Sequence, residues 1–305
     1  MPAESPGTKL RRAWQAGPIA VPGAFNALVA KLVERAGFPA TYLSGAALSA
    51  GVAGVPDVGL LSLPEFVEQA RYLVRAVDIP VLSDADTGFG EAMNVERTVQ
   101  LFEEAGVAGL HLEDQRLPKR CGHLSGKQLV EPAEMQAKLR AAVAARRDSS
   151  FVLIARTDAR GVTGFDDAVA RANAYLDAGA DVIFPEALES ADEFERFARA
   201  VEAPLLANMT EFGRSPLLTL SELGQMGYRI ALYPVTMLRV AMKTVEQALA
   251  TLKAEGTQAS LLESMQTRQE LYDVLGYEQY EARDREYFGR GEWEGTTGST
   301  GNTGS

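Results

Sequence analysis

The sequence predicts a (β/α)8 barrel, and three observations predict it together. Short β-rich runs alternate with amphipathic helical stretches, helices ending in glycine lead into strands at a repeated spacing, and the strands close on polar residues.

The β-rich runs lie at 19–25, 40–44, 80–84, 109–113, 151–157, 181–185, 204–208 and 229–233, which makes eight candidate strands. Between them, stretches such as 63–77, 94–105, 132–145 and 165–178 carry apolar residues at helical spacing. Strand, helix, strand in repetition implies parallel pairing through right-handed crossovers. Helices end in glycine at Arg35-Ala36-Gly37, Glu104-Ala105-Gly106, Asp177-Ala178-Gly179 and Gln225-Met226-Gly227, the residue suited to a left-handed cap. Counting seven residues on from the first three glycines reaches Ser44, Glu113 and Glu186, so equivalent positions share one rim.

The polar closers are Ser44, Asp84, Glu113, Arg156 with Asp158, Glu186, Asn208 and Tyr233. In a barrel they mark the C-terminal face, where catalytic groups gather. A doubly wound open sheet is the rival, but its nucleotide-binding form wants a Gly-x-Gly-x-x-Gly turn after the first strand, and none is present. Past the eighth strand, helical stretches at 235–254 and 260–275 and a charged segment reaching Arg290 exceed one closing helix and suggest contacts between subunits. Residues 1–290 are therefore read as one barrel domain with a C-terminal helical extension. The tail 291–305, which is only Gly, Ser, Thr and Asn from Gly295 on, is expected to be disordered.

Composition narrows the class. With 305 residues, 46% hydrophobic and 23% charged, the chain can bury a large core. A net charge of -11 without a basic run argues against nucleic acid, which is held by clustered Lys and Arg. No run approaches the length of a membrane helix, and one cysteine cannot form an internal disulfide, so a cytoplasmic setting is expected.

Three clusters carry chemistry. Ser83-Asp84-Ala85-Asp86-Thr87-Gly88 sets two carboxylates at a strand end, hard oxygen ligands suited to Mg²⁺ or Mn²⁺, and Asp57, Glu113 and Asp114 add acids that a cation would make tolerable. Two histidines are too few for a zinc site; His111 reads as a satisfied core residue and His123 as a loop group able to orient a carboxylate. Lys119-Arg120-Cys121-Gly122-His123 surrounds a thiol with positive charge, which should lower its pKa and make it a nucleophile or proton donor. Arg156, Arg239 and Arg268, with Asn208-Met209-Thr210, could bind a di- or tricarboxylate.

These segments, with Tyr42-Leu43-Ser44-Gly45, His111-Leu112-Glu113-Asp114-Gln115 and Ala155-Arg156-Thr157-Asp158, resemble the isocitrate lyase and phosphoenolpyruvate mutase superfamily almost end to end. The thiol loop resembles its lyase branch. Arg120, the segment Met265 through Tyr272 and the lack of the long insertions of isocitrate lyases point to the short enzymes acting on a methyl-branched substrate. The resemblance implies a homotetramer with swapped C-terminal helices, metal at Asp84 and Asp86, and a substrate site of Ser44, Gly45, Ala46, Cys121, Gly122, Arg156, Glu186, Asn208, Met209, Thr210, Arg239 and Arg268. Ala46 departs from the family's frequent Ser-Gly-Gly, although a backbone N–H contact survives the change. The implied reaction is retro-aldol cleavage with Cys121 as proton donor and Tyr42 or Glu113 as base. Cleavage of isocitrate or dimethylmalate, hydrolysis of oxaloacetate, and a barrel that only binds dicarboxylates stay open.

Overall fold

The computed structural model describes residues 4–288. Eight parallel strands form the sheet: β1 (Ile19–Pro22), β2 (Thr41–Leu43), β3 (Val81–Asp84), β4 (Gly109–Glu113), β5 (Val152–Thr157), β6 (Val182–Pro185), β7 (Leu206–Asn208) and β8 (Ile230–Tyr233). They pair in the orders β2-β3-β4-β5-β6 and β1-β8-β7. Single bridges at Gly23–Tyr42 and Ile183–Leu205 join the two sheets into a closed ring. Each expected strand is present, most trimmed by a residue or two at the ends. Pro80 and Pro204 stand just outside because they lack an N–H, though their carbonyls accept from Thr41 and Ile183, each at 3.1 Å.

Alternation along the strands divides the core in two. Ile19 and Val21, Val152 and Ile154, Val182 and Phe184, and Ile230 and Leu232 face one another inside the barrel. Leu110 and Leu112, Leu153 and Ala155, and Ala207 face outward against the helix layer. The four helix-ending glycines adopt positive φ of +84°, +87°, +102° and +105° at Gly37, Gly106, Gly179 and Gly227, as the repeat requires.

The helix Pro6–Ala16 was not legible as such. Ser5 caps it, accepting from Thr8 N–H, and Pro6 opens it. Its Leu10 and Trp14 join the interior cluster and plug the N-terminal mouth of the barrel. Arg11 and Lys9 fasten it by donating to the carbonyls of Ser150 at 2.8 Å and Asp78 at 3.0 Å.

At the other end, Thr236–Glu255 runs for 20 residues with Leu238 its one buried side chain. The helix expected over 260–275 is broken: Ala259–Ser264 is a 3-10 turn, and Thr267 starts a separate helix, Arg268–Leu275, through a capping box with Glu270. A last helix, Tyr277–Phe288, follows. Among the described residues no helix is long and apolar enough to cross a membrane. The expected tail, 291–305, lies outside the described residues.

Candidate active site

One further step along the inward-facing rows carries Tyr42 to Ser44, Leu82 to Asp84, His111 to Glu113, Ile154 to Arg156, Phe184 to Glu186 and Leu206 to Asn208. The rim residues are polar where the interior is apolar, so the row emerges into a cavity of about 90 Å³. Tyr42, Ser44, Ala46, Asp84, Cys121, Gly122, His123, Arg156, Glu186, Asn208, Thr210 and Arg239 all line it.

Buried charge dominates the site. Arg156 lies 3.3 Å from Glu113 Oε2 and 3.3 Å from Glu186 Oε2, and its Nε donates to Asp158 Oδ2 at 3.0 Å. Lys119 is buried and turned toward the acids: it pairs with Asp57 and stands 2.7 Å from Asp86 Oδ1. Glu113 Oε1 remains a buried oxygen without a hydrogen-bond partner. Burial and the adjacent Asp84 push the Asp86 carboxyl up to about 7. Asp84 stays below the usual carboxylate range, because His111 and Lys119 outweigh the burial that would raise it.

This donor set fits a hard divalent cation. The carboxylates of Asp57, Asp84, Asp86, Glu113, Asp158 and Glu186 outnumber Lys119, Lys127 and Arg156, and Glu113 Oε1 has no hydrogen-bond partner. No three Asp, Glu, His or Cys side chains among the described residues form a closed metal cage. Mg²⁺ needs none, since it binds through one or two carboxylates and keeps its waters. Asp84 lines the cavity, whereas Asp86 borders a neighbouring groove beside Lys119.

Several expectations need correction. Asp114 is no part of the acid cluster: it points outward, one residue out of phase with Glu113, and accepts from Thr157 Oγ1, Tyr175 OH and Asp158 N–H within 2.9 Å. The thiol of Cys121 is raised, not lowered. Burial is the largest cause, and the flanking cations face elsewhere, Lys119 toward Asp57 and Asp86 and Arg120 toward Ser125 O. His111 is buried but unsatisfied: Nε2 lies 2.7 Å from Tyr42 OH, while Nδ1 has no partner. Met209 packs in the core, and its sulfur accepts from Leu218 N–H. Arg268 is exposed on a helix that packs against Ala27–Arg35, and it does not line this chain's cavity.

Other residues take positions the sequence did not spell out. Gly45 does not line the cavity, but its N–H donates to Asp84 Oδ2 at 3.0 Å, and a Cβ there would stand 2.7 Å from that oxygen. Gly122 sits hard against Arg156 and Glu186, where a Cβ would fall 2.4 Å from Glu186 Cγ. His123 Nδ1 accepts from Arg214 N–H at 2.9 Å, which leaves the proton on Nε2, 2.8 Å from Glu186 Oε1. Burial opposes the Glu186 charge, but Arg156 and His123 hold it well below the ordinary range. Asn208 donates to both Glu186 oxygens at 3.3 Å. Arg239, at the mouth, is half-neutralised by Glu211 Oε2 at 3.1 Å. Lys127, the buried partner of Asp158, had no signal beyond its place five residues after Gly122.

The family described as phosphoenolpyruvate phosphomutase matches residues 10–253. A 2-methylisocitrate lyase of Aeropyrum pernix is 52% identical over 93% of this chain and 92% of its own. A solved 2,3-dimethylmalate lyase superposes with a TM-score of 0.88 at 37% identity, covering 94% of this chain and 96% of its own. A phosphonopyruvate hydrolase solved with oxalate and Mg²⁺ gives 0.85 at 33% identity, over 93% of this chain and all of its own. The chain belongs to the phosphoenolpyruvate phosphomutase family.

Proposed function

We propose that this member of the family cleaves 2-methylisocitrate to pyruvate and succinate. The observation that carries the reading is a protonated, half-buried thiol lining the same cavity as Arg156, Glu186 and Asp84, in a chain 52% identical to a 2-methylisocitrate lyase. The lone cysteine supports a cytoplasmic enzyme, and the apolar side chains of Val240, Leu249 and Leu262, exposed on the C-terminal helices, support a homotetramer in which Arg268 serves a neighbouring site.

Asp84 and Asp86 would hold Mg²⁺ or Mn²⁺, which when bound supplies a Lewis acid for the hydroxycarboxylate end of the substrate. Ser44, the backbone around Gly45 and Ala46, Asn208, Thr210 and Arg239 offer hydrogen bonds and charge to the remaining carboxylates. Met209 contributes by fixing the strand end that presents Asn208. Tyr42 is better supported as base than Glu113: it lines the cavity, and its hydroxyl is 2.7 Å from Nε2 of the His111 ring, whose protonation burial opposes. The substrate hydroxyl gives its proton to Tyr42 as the phenol proton passes to His111. The carbon–carbon electron pair moves onto the succinate fragment, and Cys121 delivers a proton to that carbon. Arg156 and His123, with Glu186 and Asn208 orienting them, stabilise the developing negative charge.

Steady-state rates on 2-methylisocitrate, isocitrate, 2,3-dimethylmalate and oxaloacetate, each with Mg²⁺ and with EDTA, test the reading. The methyl-branched tricarboxylate should lead isocitrate by about 10- to 200-fold in kcat/KM, the discrimination one methylene-sized group allows. EDTA should abolish turnover. A lead for another substrate reassigns the specificity, and activity that persists in EDTA removes Asp84 and Asp86 from the metal role.

A further inference from the structure

The thiol-bearing segment is a long excursion between β4 and the helix Pro132–Ala145, closed at its base by the Gln115–Leu129 bridge. The side chain of Gln115 holds both backbone groups of Arg120, accepting from its N–H at 2.9 Å and donating to its carbonyl at 2.8 Å. Beyond Arg120 the chain turns over the cavity, and at Gly122 it presses against Arg156 and Glu186.

Lys127 closes this turn from below. It is buried, and its Nζ donates to the carbonyl oxygen of Gly122 and to Asp158 Oδ1, the latter at 2.8 Å. Asp158 is not held by Lys127 alone: Arg156, shared with Glu113 and Glu186, also donates to it through Nε at 3.0 Å and Nη2 at 3.2 Å. A buried ammonium costs desolvation and side-chain freedom, so a position that pairing does not wholly explain calls for another return. Here that return is a charge-assisted grip on the carbonyl of the residue next to Cys121. Through Asp158 the same ammonium is tied to the guanidinium that faces the cavity.

We propose that Lys127 is the positioning residue that latches Cys121 over the site, joining the thiol loop to Arg156 through Asp158. The inference rests on the proton-donor reading of Cys121 for its turnover readout, whereas alkylation of the thiol reports the loop itself.

Lys127→Met tests it in the full-length enzyme, where Asp158 keeps its two bonds from Arg156. The variant should lose about a hundredfold in kcat, the cost of a misplaced reacting group, with KM little changed because Arg156 stays in place. Iodoacetamide should alkylate its Cys121 faster than in the parent protein. A folded variant whose alkylation rate matches the parent's overturns the latch, even if turnover falls. Faster alkylation with unchanged turnover upholds the latch and overturns Cys121 as the donor. Should the variant not fold, reductive methylation of the parent protein decides. Methylation of Lys127 should be accompanied by faster alkylation of Cys121 by iodoacetamide, and a methylated Lys127 with Cys121 alkylated at the unmodified rate overturns the latch.

Discussion

The two mouths of this barrel are built from opposite materials. The N-terminal mouth is sealed by Leu10 and Trp14, with polar contacts only at its margin. The C-terminal mouth buries Asp84, Asp86, Glu113, Asp158 and Glu186 against fewer cations, and it leaves Glu113 Oε1 without a donor. Apolar burial stabilises without conditions, while buried charge requires partners, so one end carries stability and the other carries chemistry at some cost to it. Both rest on the same strands, and the alternation that packs Val152 and Ile154 inside also delivers Arg156 to the rim.

Substitutions should separate the two ends cleanly. The largest effect belongs to Cys121→Ser, expected to lower kcat by about 10² to 10⁴ while substrate still binds and the melting temperature holds. Calorimetric titration beside steady-state kinetics would show this, and unchanged turnover would remove the thiol from the mechanism. Trp14→Ala should do the reverse, costing about 3 to 5 kcal/mol of stability in urea with unchanged turnover per folded molecule. A catalytic defect at that distance would mean the mouths are coupled.

The smallest effect is a pH dependence. Glu186 is depressed in the folded protein, so its contribution is fully present above roughly pH 4.5 and is lost as pH falls toward the folded value. Glu186→Gln should therefore flatten the fall of stability below that pH, while Trp14→Ala keeps the parent slope. Identical slopes in all three proteins would assign acid sensitivity to other carboxylates.

Much of this was legible in the chain. Eight short β-rich runs alternating with amphipathic helical stretches, punctuated by Gly37, Gly106, Gly179 and Gly227, were enough to order the strands and to place Ser44, Glu113 and Glu186 on one rim. The helix Pro6–Ala16 was obscured because its mean composition is polar; only Ser5-Pro6 and the four-residue step from Leu10 to Trp14 betray it. The thiol's surroundings could be listed from sequence but not aimed. Lys119 and Arg120 flank Cys121 along the chain, yet both point away from it, and burial then decides the direction of its pKa. Asp114 misled for a related reason: adjacency in sequence is opposition in a strand. Lys127 and the His123–Arg214 contact depend on loops meeting across the rim, which no local pattern encodes.

The bridge between Gln115 and Leu129 has a consequence for how such enzymes diversify. Because it ties Gln115 to Leu129, residues 116–128 form a cassette that leaves and rejoins the barrel at one point. A barrel arranged this way can change its reaction by editing one insert only together with the rim acids that the insert grips, Asp57, Asp86, Asp158 and Glu186.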